Sequence, residues 1–283
     1  MSHAFWHAAW LLFAVGPLVT IRFDPLPALL CTIAVACVCE RRFGLAGAAL
    51  GLGIATKLYP LLLLPPLAAA ALGAGDRRGA LRLGWTAAAT AALAVLPFAI
   101  LAGPELLADL GTHAARPLQL ESVLATPFLF LREALVVQSH GSANLVAAGT
   151  GVAAALGGPI LVGVVALASW LAYREARRAL DCAAVRATIV LLLGALACSK
   201  VLSPQFLLWI VPLVAVWPGR TRWALSIGVG AAGLLAQVWY PFLYDSLKQL
   251  EQPWITLLAL RNVILVATFL LAVRGAARDD RAR

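Results

Sequence analysis

Lysines interrupt two apolar stretches of this chain, at places where an ammonium group suits the binding of a phosphate. Lys57 lies in GIATKLYPLLLLPP and Lys200 in SKVLSPQFLLWIVPL, and only three lysines stand among the 22 basic residues. Each is followed by a proline that suits the first turn of a helix, so each is predicted at the tip of a helical hairpin. A charge at a helix centre in a bilayer costs about 2.5–3.5 kcal/mol, which a counter-ion lowers. A phosphate near the interface is such a counter-ion, because ammonium and guanidinium groups both bind it.

Other polar residues share the same group of connections between apolar runs. They stand in TIRFDPLPALL, after Lys57, in GTHAARPLQLESV and after Lys200. A carboxylate or an imidazole can take a proton from an acceptor hydroxyl, so the candidates for catalysis are Asp24, Glu121 and His113. The candidates for binding a phosphorylated, lipid-linked substrate are Arg22, Lys57, Tyr59, Arg116, Gln119, Lys200, Ser203 and Gln205.

Each candidate also has an ordinary structural explanation. A lysine near a helix end commonly extends its ammonium group to the membrane surface. Arg22 and Asp24 can form a local ion pair, and Asp24 before Pro25 also suits a helix N-terminus. Residues 119–122 can begin an ordinary helix, and His113 is compatible with a plain surface position. The residues alone leave both explanations open.

Several motifs of enzyme chemistry are absent from the sequence. It has no Walker loop, HExxH or G-x-S-x-G, and no Asp-x-Asp pair that would hold a metal-bound nucleotide sugar. The five cysteines lack metal spacing and suit small buried positions. We therefore expect no metal and no cofactor, and a substrate that is already activated within the membrane.

The composition predicts a membrane protein. The chain has 283 residues, 62% hydrophobic and 12% charged, and a mean hydropathy of +0.91, whereas soluble domains carry about 25% charged residues. Its apolar runs are continuous and rich in Ala, Leu and Val, which favours helices over alternating barrel strands. The fold class is therefore expected to be all-α, a polytopic helix bundle. The net charge of +9 then reports loop topology, and no nucleic-acid partner is expected.

Ten helices are predicted, in one transmembrane domain over residues 1–283. Their predicted ranges are 5–21, 24–39, 43–56, 58–75, 82–102, 149–172, 183–199, 204–218, 222–243 and 253–273. Fifteen of the 22 basic residues fall at the two termini or in the connections that follow even-numbered helices. By the positive-inside rule both termini are cytoplasmic. Residues 103–148 then form a longer extracytoplasmic segment and residues 274–283 a cytoplasmic tail, and the candidate residues lie on the extracytoplasmic side.

Four segments carry a family resemblance. RFDPLPALL, GLAGAALGLGIATKLYPLLLLPPLAA, ARPLQLESV and SKVLSPQFLLWIVPL resemble, in this order, segments of bacterial GT-C glycosyltransferases. The most similar branch is that of the polyprenyl-phosphate-mannose-dependent α-mannosyltransferases, glycosyltransferase family 87. The resemblance spans roughly residues 20–220. It implies a multi-pass fold in the cell membrane and an active site on the extracytoplasmic face.

The resemblance also implies a reaction. A sugar, mannose or another hexose or pentose, passes from a polyprenyl-phosphate donor to a glycolipid or glycan of the cell envelope, with inversion at the sugar carbon. A carboxylate acts as the base, and cations hold the departing lipid phosphate. Such enzymes usually carry the key acid in their first outer loop, whereas RFD arrives here at residue 22. We therefore expect a leading portion with this acid to be absent, through a misassigned start codon or because the chain is a fragment; the alternative is a diverged protein that uses Asp24 or Glu121.

Two other classes of function compete with this prediction. Paired, broken hydrophobic segments are typical of transporters and lipid flippases. A non-catalytic relative that lacks the catalytic portion is the third possibility. Because the varied polar residues are confined to one side of the predicted bundle, while alternating access requires them on both sides or in mid-helix, the sequence favours the enzyme.

Overall fold

The computed structural model describes residues 3–16 and 18–278. Within this range the chain forms helices and one β-hairpin. The helices are α1 His3–Val15, α2 Leu18–Ile21, α3 Pro25–Cys39, α4 Phe43–Thr56, α5 Leu64–Gly73, α6 Arg77–Ala102, α7 Glu105–Ala115, α8 Thr150–Ala176, α9 Leu180–Cys198, α10 Val211–Val214, α11 Arg222–Trp239, α12 Tyr244–Lys248 and α13 Trp254–Arg278. Three 3-10 segments are Tyr59–Leu63, Val123–Phe128 and Pro204–Trp209, and the strands are β1 Leu135–Ser139 and β2 Ser142–Val146. The chain is 75% helical, which confirms the all-α expectation in outline.

Four of the described helices are long and apolar enough to cross a membrane, namely α6, α8, α9 and α13. Helix α9 is the central one, since most residues of its apolar segment are buried inside the bundle. Hardly any residues of the apolar segment of α6 are buried. Helix α6 instead exposes large apolar side chains, including Leu93, Phe98 and Leu101. A helix whose outer face exposes large apolar side chains suits contact with lipid. The protein is therefore a membrane protein.

Three of the predicted helices are not continuous, which corrects the expected ranges. The range 5–21 divides into α1 and α2 at Gly16, whose φ of +52° is left-handed. The range 58–75 begins as the 3-10 segment Tyr59–Leu63, and the range 204–218 is the 3-10 segment Pro204–Trp209 followed by the single turn α10. Prolines lack an N–H donor and disfavour the α conformation in the residue before them, so the proline-rich sequences break both helices.

The β-hairpin was not predicted from the sequence. β1 and β2 pair antiparallel, with Leu135 opposite Val146 and Ser139 opposite Ser142. The turn residues His140 and Gly141 both have positive φ, as a tight hairpin turn requires. β2 is also bonded to the preceding segment, since Leu120 N donates to Ala143 O and Leu145 N to Leu118 O. Residues 117–146 thus form an ordered layer over one end of the bundle, packed on Trp239, Leu247, Ile255 and Leu258.

The helices place the candidate residues at one end of the bundle. Helices α3, α8 and α13 begin at this end, and α4, α9 and α11 finish there. We call it the polar end. The opposite end holds the arginine-rich connections, and we call it the arginine-rich end. There the end of α3 meets the start of α9, since Cys39 Sγ lies 3.6 Å from Asp181 O.

Both described termini lie at the arginine-rich end. Helix α1 runs parallel to α11, because His7 Nδ1 is 2.7 Å from Ser226 Oγ and Gln237 Nε2 donates to Ala14 O at 2.5 Å. Since α11 starts at the arginine-rich end, so does α1. Helix α13 ends beside Thr221, close to Gly275. The described part of the chain thus begins and ends at the same end of the bundle.

Helices α4 and α6 approach closely because glycines face the contact. Gly47 and Gly51 form a G-x-x-x-G pair on α4, and a Cβ added to Gly51 would lie 2.5 Å from Ala87 O. Small residues at this spacing let apolar helices pack backbone to backbone. The contact holds the peripheral helix α6 against the bundle.

We predict that Gly51→Ala destabilises the protein by about 1–3 kcal/mol, because the added methyl forces α4 and α6 apart. Gly84→Ala on α6 is the matched control, since a Cβ there meets nothing within 4 Å. Thermal unfolding in detergent would measure both. Equal melting temperatures for the two variants would contradict the packing argument.

Candidate active site

Asp24 is the carboxylate around which the first cluster is built. It occupies the N-cap position of α3 before Pro25, but its side chain makes no capping hydrogen bond. The carboxylate instead accepts a hydrogen bond from Trp209 Nε1 at 2.6 Å and lies 2.6 Å from Lys57 Nζ, both at Oδ1. Asp24 is buried. The sequence also allowed a local ion pair between Asp24 and Arg22. In the structure the cation that pairs with Asp24 is Lys57.

Lys57 reaches Asp24 from the end of α4. Its backbone leaves the helix in an extended conformation, which turns the side chain towards the start of α3. The ammonium lies 4.7 Å from the ring centre of Phe206 and 5.2 Å from that of Trp209. The side chain keeps 29% of its surface exposed. The charge is thus held by a carboxylate and two aromatic faces while part of it stays open to solvent.

The aromatic floor of this cluster comes from the two similar lysine-containing stretches. Tyr59 and Trp209 stack at 3.7 Å between ring centres, and Phe206 stacks on Trp209 at 4.3 Å. Phe206 and Trp209 are three residues apart in a 3-10 segment, which places them on the same face. The stretch around Lys57 therefore packs on the stretch that follows Lys200, and together they enclose Asp24.

Glu121, which is buried, is the centre of a second cluster. Its Oε1 accepts a hydrogen bond from Trp239 Nε1 at 3.1 Å and lies 3.7 Å from Arg261 Nη2. Tyr244 donates its hydroxyl to Oε2 at 3.4 Å, and Arg261 Nη2 also donates to the Glu121 backbone carbonyl at 3.0 Å. Burial raises the pKa of the Glu121 carboxyl, and Arg261 and the two hydrogen bonds oppose that rise. Burial and the nearby carboxylate raise the pKa of the Tyr244 hydroxyl, so it stays protonated and donates.

Neighbouring residues fix the backbone that carries Glu121. Ser122 Oγ donates to Ser199 O at 2.6 Å, and Asn262 Nδ2 donates to Thr126 Oγ1 at 2.8 Å. Gln119 N donates to Lys200 O at 2.8 Å. The segment that follows α9 is therefore tied to residues 119–122, which brings the Lys200 backbone to the second cluster.

A line of aromatic contacts runs from the second cluster to Arg22. The Arg22 guanidinium lies 5.3 Å from the ring centre of Tyr240, and Tyr240 meets Tyr244 edge to face at 5.9 Å. Tyr244 bonds to Glu121 as described, and Arg22 is two residues from Asp24. Arg22 itself is exposed, so it presents a cation at the surface between the clusters.

The other candidates occupy less defined positions. His113 belongs to α7, but its side chain is outside the described part of the protein. Arg116 is half-buried, and its Nε is buried without a hydrogen-bond partner among the described residues. Lys200, Ser203 and Gln205 are half-buried. All of these residues belong to connections at the polar end, and within residues 3–16 and 18–278 no three His, Cys, Asp or Glu side chains gather as metal ligands.

Sequence reasoning missed the partners of both carboxylates. Phe206 and Trp209 fall in the predicted helix 204–218 and Trp239 in the predicted helix 222–243, where the pattern does not mark them as partners of a carboxylate. Arg261 falls in the predicted helix 253–273, and a guanidinium inside the apolar run WITLLALRNVILVA is a signal of a buried partner. The observed Arg261 has no exposed surface.

One comparison with known proteins identifies the family. The model of glycosyltransferase family 87 matches residues 2–204 of the chain. The chain belongs to glycosyltransferase family 87. No curated protein and no solved structure matched the chain significantly.

Membership of family 87 makes the chain a membrane glycosyltransferase. The matched range includes the segments that carry Asp24, Lys57 and Glu121 and ends at Pro204. The aromatic and basic partners Phe206, Trp209 and Arg261 lie beyond it. The structure therefore adds these partners to the part of the chain that the family match covers.

We predict that Arg261→Met lowers the free energy of unfolding by about 3–5 kcal/mol, because it leaves the Glu121 carboxylate buried without its cation. The double variant Glu121→Gln/Arg261→Met should recover most of this loss, since the amide still accepts the Trp239 hydrogen bond and carries no charge. Denaturant unfolding in detergent would measure both. If Arg261→Met were as stable as the unmodified protein, the Glu121–Arg261 pair would not contribute to stability.

Proposed function

We propose that this family 87 member transfers a sugar from a polyprenyl-phosphate donor to a glycolipid or glycan of the cell envelope. The protein is multi-pass in the cell membrane, and its polar end faces the extracytoplasmic side. Mannose, or another hexose or pentose, is the proposed sugar. No metal and no cofactor take part, because the lipid-linked donor is itself the activated substrate.

The pairing of Asp24 with Lys57 is the observation that carries the proposal. A base and a phosphate-binding cation are the two groups that transfer from a phosphate-linked sugar requires. Here they are 2.6 Å apart, at the polar end of a largely apolar bundle. Lys57 is partly exposed, so a phosphate can reach it.

The proposed reaction breaks one bond to carbon and forms another. Asp24 takes the proton of the acceptor hydroxyl, and the hydroxyl oxygen attacks the anomeric carbon of the donor sugar. The bond from that carbon to the phosphate oxygen breaks, and the lipid phosphate leaves with the bonding electrons. Attack from the face opposite the phosphate inverts the configuration. The described contacts of the carboxylate fall on Oδ1, which leaves Oδ2 to receive the proton.

Cations near the reaction centre offset the charge that grows on the departing phosphate. Lys57 is the proposed first contact, and exposed Arg22 is the second. Arg116 and Lys200 are proposed as further contacts from the connections on the other side of the polar end. The substrate-facing roles proposed for Tyr59, Gln119, Ser203 and Gln205 are hydrogen bonds to the sugar or phosphate. Glu121 and His113 remain proposed acid–base groups.

We predict that Lys57→Gln and Asp24→Asn each reduce transfer by about 100-fold or more, since each removes a charge that acts in the transition state. Both substitutions keep a polar group that can hydrogen-bond its neighbour, which limits damage to the fold. The measurement is transfer of labelled sugar from a polyprenyl-phosphate donor by purified protein in lipid vesicles.

Arg42→Gln is the control, because Arg42 lies at the arginine-rich end in an exposed pair with Glu40. It should leave transfer unchanged. Melting temperatures of all variants would show whether each has folded. Full transfer by folded Lys57→Gln and Asp24→Asn proteins would refute the proposed site.

We also predict which end of the bundle faces outward. A cysteine introduced by Thr112→Cys, at an exposed position on α7, should react with a membrane-impermeant maleimide on intact cells. A cysteine introduced by Arg78→Cys, at an exposed position of the arginine-rich end, should react only after the cells are lysed. The unmodified protein reports the contribution of its own five cysteines. The reverse pattern would invert the proposed topology.

A further inference from the structure

A polar groove lies between the β-hairpin and the short helix α12, outside the Asp24 site. We call it the hairpin groove, and its lining residues are Val136, Gln138, Asp245, Lys248 and Gln249. Its volume is about 350 Å³, within the range of about 300–1,000 Å³ typical of small-molecule sites. It is open to solvent, since Asp245 keeps 84% of its side-chain surface exposed.

The register of the hairpin aims two residues into this groove. Val136 and Gln138 are two apart on β1, so their side chains share one face of the strand. The same face carries Leu145 opposite Val136 and Ala143 opposite Gln138. Those two residues are buried in the cluster below. The residue between them, Val137, points to the other face and is exposed.

The side chains of the hairpin groove suit a neutral ligand rich in hydroxyl groups. Lys248 Nζ lies 2.5 Å from Asp245, so the ammonium charge is already balanced and an anion gains little. One carboxylate is too few for a metal ion that prefers six oxygen ligands. Gln138 and Gln249 each offer two N–H donors and a carbonyl acceptor, a match for the alternating donors and acceptors of sugar hydroxyls.

The hairpin groove is connected to the proposed reaction centre. Asp245 follows Tyr244 in α12, and the Lys248 ammonium lies 5.9 Å from the Tyr244 ring centre. Tyr244 contacts Tyr240, and the Arg22 guanidinium lies over the Tyr240 ring. The groove is thus at the polar end, and a line of contacts runs from it to Arg22, two residues before Asp24.

We propose that the hairpin groove binds the carbohydrate portion of the acceptor, distant from the hydroxyl that reacts. This inference rests on the proposed function. A glycan that lies along the open groove is held by Gln138, Gln249 and the Asp245 carboxylate, while the end to be extended reaches towards Asp24. Acceptors whose glycan is long enough to span both places are therefore selected over short ones.

The test places a bulky group on one face of β1 or the other. Gln138→Cys projects into the hairpin groove, and Val137→Cys is the matched control on the opposite face of the same strand. Membranes that contain each variant are treated with a polyethylene-glycol maleimide. Transfer of labelled sugar from a polyprenyl-phosphate donor to the glycolipids and glycans of those membranes is then measured, together with binding of the donor. Labelled membranes with the unmodified protein account for its own cysteines.

Labelling of the Gln138→Cys variant should reduce transfer by about tenfold or more, because the polymer fills the space the glycan needs, and donor binding should be unchanged. Labelling of the Val137→Cys variant should leave both unchanged. Equal transfer by the two labelled variants, or loss of donor binding in labelled Gln138→Cys, would overturn the acceptor groove while the proposed function stands. Absence of transfer before labelling in every variant would instead overturn the proposed function, and the groove assignment with it.

Discussion

Burial of negative charge is the constraint on which this bundle depends. A carboxylate removed from water is tolerated in a protein interior when a cation and hydrogen-bond donors surround it. Every buried carboxylate in the described part of the chain has such a cation, and each cation comes from a different element. The three pairs are Asp24 with Lys57, Glu121 with Arg261, and Glu175 with Arg186. These pairs tie α3 to α4, the layer over the bundle to α13, and α8 to α9.

The three pairs differ in how far water and ligands can reach them. Arg261 has no exposed side-chain surface and Arg186 has 8%, whereas Lys57 has 29%. An incoming phosphate competes for a cation only where the cation can be reached. Among these three pairs that leaves Lys57. In the proposed reaction the ammonium turns towards the donor phosphate and releases Asp24, so donor binding and liberation of the base would follow from one contact.

The hidden pairs give the site a rigid frame. Arg186 donates from Nε and Nη2 to the Pro218 carbonyl while it pairs with Glu175, so one side chain ties α8 and α9 to the connection before α11. At the polar end, Glu121 holds Tyr244, whose ring meets Tyr240 below Arg22. A cation at the surface is therefore positioned by a carboxylate that no solvent reaches. Rigid support of this kind is what a site needs to hold charges where they act.

The sequence predicted those features that depend on hydrophobicity and charge. Long apolar runs predicted a helical membrane protein, and the family resemblance that rested on four short segments is confirmed by a match over residues 2–204. The gathering of polar residues at one end also followed from their places between helices. Composition does not show which helix ends contact one another in the folded protein. Lys57 was assigned to a phosphate, but its nearest charge in the structure is Asp24, 33 residues earlier in the chain. The partners Trp209 and Arg261 required the tertiary packing.

Broken helices account for the geometry of the site better than continuous ones would. The segments Tyr59–Leu63 and Pro204–Trp209 are 3-10 turns, and irregular backbone at membrane depth is tolerated where it is enclosed by protein or lines a cavity. Here the first turn supplies Tyr59 and the second supplies Phe206 and Trp209 to the stack of rings beside Lys57. In the sequence the paired breaks were the argument for a transporter. In the structure both breaks lie at the same end and pack on each other through Tyr59 and Trp209, whereas alternating access needs gates on both sides.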